Sequence, residues 1–394
     1  MNEKILILSN ASGFGGAERA LILLIRQFLL DSNQVEVVVQ NARFVSMLEK
    51  FQIEFGKHIK INELGNNNQR IHLLVELKRI YHIITKEKFD KILVNTNKAA
   101  FCLAILWPFL NYRSDQVIIY VRDFQWKMKG FIVSQLKKCH FAIPSEALKQ
   151  QMEKYVPTSM ISVTGDPFLI AEHEDANEKK CDYILVLATL SRWKGIDYLL
   201  KAFSLTDYRH ENISLKICGD KAPGKDGEKY YGELISIINE RNLQEYVEIL
   251  PFQNDVNTLY RNCIFVVNSS ISEFGGPETF GLTLLEAWSH NKPVISFAVG
   301  GPKYLIEHGV DGLLVREKDI EALSKAMNLL INNIEQVRTM GRKGFEKANQ
   351  KFTPKLVVER LYRMWGEGTI EKTFDTNVYR KKDISPASSI GEIK

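Results

Sequence analysis

The chain has no apolar run approaching the roughly 18 residues that would suggest a membrane-spanning helix, so none is predicted. Cysteine is scarce: the 5 residues, Cys102, Cys139, Cys181, Cys218 and Cys263, are odd in number, far apart and without any Cys-x-x-Cys. That excludes a disulfide framework and a thiolate metal site, and it reads as reduced thiols of a cytosolic protein. The opening MNEKILILSN turns polar too soon for a secretion signal. No internal repeat is visible.

What remains is the composition of a globular protein, with 45% hydrophobic and 25% charged residues. At 394 residues the chain exceeds one ordinary core, so two domains are expected. The net charge of +5 is unevenly placed: positions 1–170 hold 22 of the 52 Lys and Arg and 15 of the 47 Asp and Glu, leaving 30 and 32 beyond. A basic first half suggests an anionic partner there: phospholipid, a lipid-linked pyrophosphate or nucleic acid.

The most informative stretch is 269–301, SSISEFGGPETFGLTLLEAWSHNKPVISFAVGG. The apolar run 264–267 suits a buried strand, and a glycine-rich loop with Gly275, Gly276 and Pro277 follows it. A helix is predicted over about 280–290, with Leu282, Leu285 and Trp288 buried. Asn291 ends it in a left-handed cap ahead of Pro293, and 293–298 forms another strand. The first-turn amides of Phe280, Gly281, Leu282 and Thr283 have no partner inside the helix, and such an N-terminus attracts an anion, phosphate above all. Gly281 permits close approach. Glu278 and Glu286 flank this point and are acceptors suited to hydroxyl groups. Hydroxyl, diphosphate, hydroxyl describes a nucleotide sugar. The competing reading is a solvated, capped surface helix.

This segment resembles the signature of the retaining glycosyltransferase family 4, of the two-domain GT-B fold: Glu, seven residues, Glu, around an F-G-L core. The resemblance implies that Glu286 binds the nucleotide ribose, Glu278 the donor sugar, and the amides of Phe280, Gly281, Leu282 and Thr283 the sugar and diphosphate. It extends to 183–203, where Lys194-Gly195 match the family's K-G. There the family's Arg and Lys clamp the diphosphate. Here the Arg position is Thr189 and the preceding glycine is Ala188, which leaves Arg192 as the candidate to reach in beside Lys194, or as a solvated loop arginine. In organisation the resemblance covers roughly 4–365, and it is specific over 183–203 and 263–315.

In the first half, 4–9 is a buried strand, then NASGFGGAER, then an amphipathic helix. The dinucleotide fingerprint G-x-G-x-x-G fails, because Gly13 and Gly15 are followed by Glu18, and Gln40 and Asn41 stand where an acid is needed after the second strand. Gly15 and Gly16 instead resemble the family's acceptor-side loop, with a plain tight turn as the alternative. Residues 65–68 are a polar loop and 71–84 carry helical spacing. Residues 99–110 are almost wholly apolar: a buried helix ending near Pro108, or one that dips into a membrane surface.

The strand at 116–124 ends in Arg122-Asp123, at the carboxyl edge where open α/β sheets bind ligands. By the resemblance Asp123 orients or deprotonates the acceptor hydroxyl; the alternative is a surface Arg–Asp pair. Lys127, Lys129, Lys137 and Lys138, interleaved with Trp126, Phe131 and Ile132, form either a solvated helix face or an interfacial membrane patch. Ser145 is read as a helix N-cap.

The expected fold is α/β of the GT-B type. Two Rossmann-like, doubly wound parallel-sheet domains face a cleft, and a C-terminal helix crosses back to the first. The divisions are 1–170 (acceptor), 171–182 (linker), 183–350 (nucleotide sugar), 351–366 (crossover helix) and 367–394 (polar tail). The expected reaction is retaining transfer of a sugar from a UDP- or GDP-linked donor to a hydroxyl of a saccharide or lipid-linked acceptor, in assembly of a bacterial capsule, O-antigen or exopolysaccharide. No cofactor or metal is expected, since no Asp-x-Asp motif lies near the donor site and the family works without metal. Nucleic acid is not an expected partner. The expected place is the cytoplasm, or the cytoplasmic face of the inner membrane. Two rivals stand beside this: a sugar-nucleotide epimerase on the same fold, and a catalytically silent sugar-nucleotide-binding subunit of a membrane assembly.

Overall fold

The computed structural model describes residues 2–10, 15–64, 72–126, 128–169, 182–253 and 255–366. Gly13, the 65–68 loop, Lys127, Cys181, the linker up to 181 and the tail from 367 lie outside the described residues. The chain forms two compact units. The first gathers the residues up to 169 together with 279–286 and 346–366, and the second holds 182–278 and 287–345.

The first unit is built on seven strands: β1 (Lys4–Ser9), β2 (Gln34–Val39), β3 (Ile59–Glu63), β4 (Lys91–Val94), β5 (Val117–Tyr120), β6 (His140–Ile143) and β7 (Ile161–Val163). They lie in the order β3-β2-β1-β4-β5-β6-β7, every pair parallel. Parallel strands must be joined by crossovers that cover both faces, which is why KILILS and KILV read as nearly unbroken apolar runs. Alternate residues serve opposite faces. Ile5 and Ile7 pack with Leu24 and Phe28 of the helix Gly16–Leu30, while Leu6 and Leu8 pack with Ala100 and Leu103 of the helix Asn97–Leu106. The buried reading of that second helix holds for Ala99, Ala100, Cys102, Leu103 and Ala104, and it ends before Pro108.

The last helix, Pro354–Met364, belongs to this same unit: Val357, Leu361 and Tyr362 join the layer of Leu24 and Phe28. Arg360 fixes its other side, donating to the carbonyls of Thr164 and Lys351, each at 2.6 Å. The buried ammonium of Lys91 pairs with Glu3 at 2.7 Å and lies over the Tyr362 and Trp365 rings.

The second unit has six parallel strands, β8 (Tyr183–Leu187), β9 (Ser214–Cys218), β10 (Val247–Leu250), β11 (Cys263–Asn268), β12 (Val294–Phe297) and β13 (Gly312–Val315), in the order β10-β9-β8-β11-β12-β13. Its core, with Ile184, Leu199, Phe203, Leu234, Phe265 and Met327, is drawn from 184–340 alone. Strand order reverses between β8 and β11, the topological switch point at which an open sheet leaves a crevice beyond its carboxyl ends. Two glycines let the helix that ends at Lys351 lie close to this core: Gly344 faces the ring of the buried Trp288, and Gly341 faces the carbonyl of Asn291. Asn291 has φ 55°, the left-handed cap expected of it. Among the described residues no helix is long and apolar enough to cross a membrane.

Candidate functional site

The loops that leave β8 and β11 bring several of the candidate residues together. After β8 the chain makes a short 3-10 turn, Arg192–Lys194, and enters the helix Ile196–Phe203 through Gly195 at φ 61°. A Cβ on Gly195 would sit 2.1 Å from the Ser269 carbonyl oxygen, so the turn rests directly on the end of β11. Ile271 donates its amide to the Trp193 carbonyl at 2.7 Å, and Ser269 Oγ donates to the Lys194 carbonyl at 2.9 Å. These contacts fix the backbone of Lys194.

Its ammonium lies 3.9 Å from the centre of the Trp193 ring and forms an ion pair with Glu278 Oε1. Ser270 Oγ donates to that same oxygen at 3.3 Å. Both charged side chains are largely enclosed, 14% and 18% exposed. The backbone of Glu278 is fixed in turn: Gly301 donates to its carbonyl at 2.8 Å, and a Cβ on Gly300, at φ 62°, would lie 2.4 Å from that oxygen. The pair is a positive point charge beside a hydroxyl-accepting carboxylate. Ser270 and Gly300 are contributors that sequence reasoning missed. The small-residue runs SSIS and VGG were their only signal.

Arg192 is engaged elsewhere. Its two terminal nitrogens grip the carboxylate of Glu233, both at 2.6 Å, and the guanidinium lies over Tyr230. These hydrogen bonds hold the Glu233 carboxyl below the usual carboxylate range. Lys194 and Arg192 therefore point to different partners.

Thr279–Glu286 is grouped with the first unit. The helix runs Leu282–Ser289, so Phe280 and Gly281 precede it, and Gly281 adopts φ 106°. The Phe280 ring is buried edge-on against Phe352, 5.3 Å between centres. Gly281 O accepts from the Leu284 amide at 3.0 Å, and the Thr279 carbonyl accepts from the N-cap hydroxyl of Ser145. Leu282 meets Gly16, where a Cβ would lie 3.0 Å from its Cδ1. Glu286 stands 3.8 Å from Arg19, both partly exposed. Thr283 occupies the first turn.

At the first glycine loop, Glu18 Oε2 accepts the Gly15 amide at 2.8 Å and is itself buried. A carboxylate set on the helix start opposes a dinucleotide phosphate, which gives the failed fingerprint a physical cause. Past β5, Arg122 turns inward: it pairs with the buried Asp166 at 2.5 Å and stacks on Tyr120, and so is not the partner of Asp123. Burial pushes the Asp166 carboxyl upward against the pull of Arg122. Asp123 is exposed, accepts the Gln125 amide at 2.8 Å, and lines a shallow pocket of about 380 Å³ with Asn97, Lys98, Phe101, Gln125 and Met128.

The interfacial patch needs correction. Trp126, ahead of the helix Lys129–Leu136, is 7% exposed and Ile132, within it, is fully buried, both in the core of the first unit. Met128 and Phe131 remain at the surface, and Lys129 lies over Tyr155.

Residues 170–347 match the family model described as glycosyl transferases group 1. A Haemophilus influenzae protein named as an uncharacterized glycosyltransferase is 30% identical over 193 residues, 48% of this chain and 51% of its own length. The human alpha-1,3/1,6-mannosyltransferase ALG2 is 30% identical over 190 residues, 47% of this chain and 42% of its own. The chain thus spans about half the length of these curated relatives. Among solved structures, Anabaena Alr3699/HepE in complex with UDP superposes with a TM-score of 0.77 at 21% identity, covering 92% of this chain and 99% of that one. A Rickettsia africae glycosyltransferase gives 0.78 at 18%, covering 97% and 100%. The chain has the GT-B fold of two parallel-sheet Rossmann-like domains, and its residues 170–347, which carry Lys194, Glu278 and Glu286, are similar to the glycosyl transferases group 1 family.

Proposed function

We propose that this protein is a retaining glycosyltransferase that moves a sugar from a UDP-linked donor to an acceptor hydroxyl. The observation that carries the reading is Lys194 against Glu278 at the switch point of the second sheet, inside the family-matched region. Structures of the Anabaena neighbour with UDP and with UDP-glucose favour uridine over guanosine. Lys194 takes the diphosphate, Glu278 the sugar hydroxyls, Glu286 the ribose, and the amides from Phe280 to Thr283 the sugar and phosphate oxygens. The bond from the anomeric carbon to the phosphate oxygen breaks, and the acceptor oxygen bonds that carbon on the same face. The acceptor proton passes to the departing phosphate. Lys194 stabilises the charge that develops on the diphosphate, a type of contribution worth about 3 kcal/mol, and no metal is assigned to the step. Arg192, held by Glu233, is the weaker candidate for a second cation.

The acceptor falls to the first unit, with Asp123 orienting its hydroxyl beside the pocket of Asn97, Lys98 and Phe101 and with Gly15 and Gly16 at the loop after β1. The proposed acceptor is a saccharide or lipid-linked saccharide of a bacterial surface polysaccharide, and the basic charge of that half favours the lipid-linked form, whose pyrophosphate is anionic. The proposed place is the cytoplasm, with peripheral contact to an anionic membrane through the basic charge of the first half and not through the buried Trp126 and Ile132.

The test is a thermal-shift panel of UDP, GDP and their sugars. UDP is expected to raise the melting temperature, and Glu286→Ala to abolish the rise. Lys194→Ala should cut transfer by about 10²–10³-fold. The absence of a shift with every nucleotide refutes the reading.

A further inference from the structure

The cation proposed for the donor diphosphate already has an anionic partner within the protein. We propose, on the basis of the donor-site reading above, that Glu278 and the diphosphate compete for Lys194, so that Glu278 discriminates sugar-bearing donor from bare nucleoside diphosphate and helps to expel the product.

The geometry makes the competition direct. The Lys194 backbone is pinned by Gly195 and Ser269 and that of Glu278 by Gly300 and Gly301, so neither residue can retreat by moving its main chain. Ser270 Oγ holds the same Oε1 that meets the ammonium, biasing the carboxylate toward Lys194. A diphosphate reaching that ammonium brings its oxygens up to a largely enclosed carboxylate, and like charges at such range repel strongly.

A donor carrying its sugar offsets this repulsion, because sugar hydroxyls donate to Glu278 as the ammonium turns to phosphate. A bare nucleoside diphosphate has no hydroxyl at that place. Once transfer has removed the sugar, Glu278 loses its donors and returns to Lys194, which weakens the hold on the product.

Calorimetric titration of the full chain with UDP and with UDP-glucose tests this, with GDP and GDP-mannose in parallel. Glu278→Gln keeps the shape and removes the charge. It should bind UDP about tenfold more tightly than wild type, while the sugar nucleotide gains nothing, so discrimination collapses. Ser270→Ala should shift the ratio the same way by a smaller factor, and it reports even if Glu278→Gln folds poorly. In a Lys194→Met background the part of that gain owed to freeing the ammonium is lost, so the factor should shrink to what charge repulsion alone supplies. Unchanged or weaker UDP binding by both single variants overturns the competition while leaving the donor site standing, and so does a gain undiminished by Lys194→Met. A wild-type protein that binds none of the four nucleotides overturns both.

Discussion

Replacing Gly195 by alanine tests how the lysine is held. Gly195 has φ 61°, a conformation that costs an L-residue about 1–2 kcal/mol. Its new Cβ would also stand 2.1 Å from the Ser269 carbonyl oxygen, a backbone atom that cannot swing aside as a side-chain tip could. Relief requires the turn to lift off β11, which breaks the Ile271-to-Trp193 and Ser269-to-Lys194 hydrogen bonds at about 1 kcal/mol each. The total is about 3 kcal/mol, which lowers the melting temperature of a unit this size by about 6–12 °C. UDP binding should fall with it, since the ammonium leaves its place beside Glu278. The assay is scanning calorimetry with and without UDP, with Gly232→Ala as the control. Gly232 is exposed on the helix Lys225–Glu240 with nothing within 4 Å of a new Cβ, so alanine there should stabilise by about 0.5–1 kcal/mol. A Gly195→Ala protein melting within about 1 °C of wild type, with UDP affinity unchanged, would refute the reasoning.

Two further outcomes follow from packing and burial. Gly344→Ala would set a Cβ 2.1 Å from Cδ1 of the fully buried Trp288, whose Nε1 donates to the Asp311 carbonyl at 2.9 Å. Overpacking of this kind costs about 1–3 kcal/mol, and a shift in tryptophan emission together with a lower melting temperature checks it. Burial holds His140, at the start of β6, below the ordinary histidine range. The unfolded chain therefore binds the proton more readily, so this residue's contribution to stability is full above the ordinary value of 6.5 and declines as pH falls below it. His140→Phe should flatten that part of the stability–pH curve in denaturant titrations.

Strand positions were legible because parallel strands buried on both faces leave unbroken apolar runs, and β1 and β4 begin where KILILS and KILV do. Asn291 as a left-handed stop was legible for the same local reason, since little besides asparagine and glycine adopts that conformation without cost. Partnerships across the sheet were not. Nothing local says that Arg122 reaches Asp166 rather than its neighbour Asp123, or that Arg192 is taken by Glu233 some 41 residues away. The basic stretch near Trp126 misled because aromatic residues among lysines suit both a membrane surface and a helix whose other face is core, and only packing decides. The contact of Lys194 with Glu278, 84 positions apart, follows from β8 and β11 being neighbours, which strand patterns do not encode.

The helix Pro354–Met364 has a consequence for how the protein is made. Val357, Leu361 and Tyr362 complete a layer begun by Ile5, Ile7 and Leu24, so during synthesis that layer of the first unit stays incomplete until residues 354–364 have been made. The other unit draws its core from 184–340 and can mature sooner. The part translated first thus finishes last, and its bare aliphatic face is the surface that chaperones would be called on to shield in the interval.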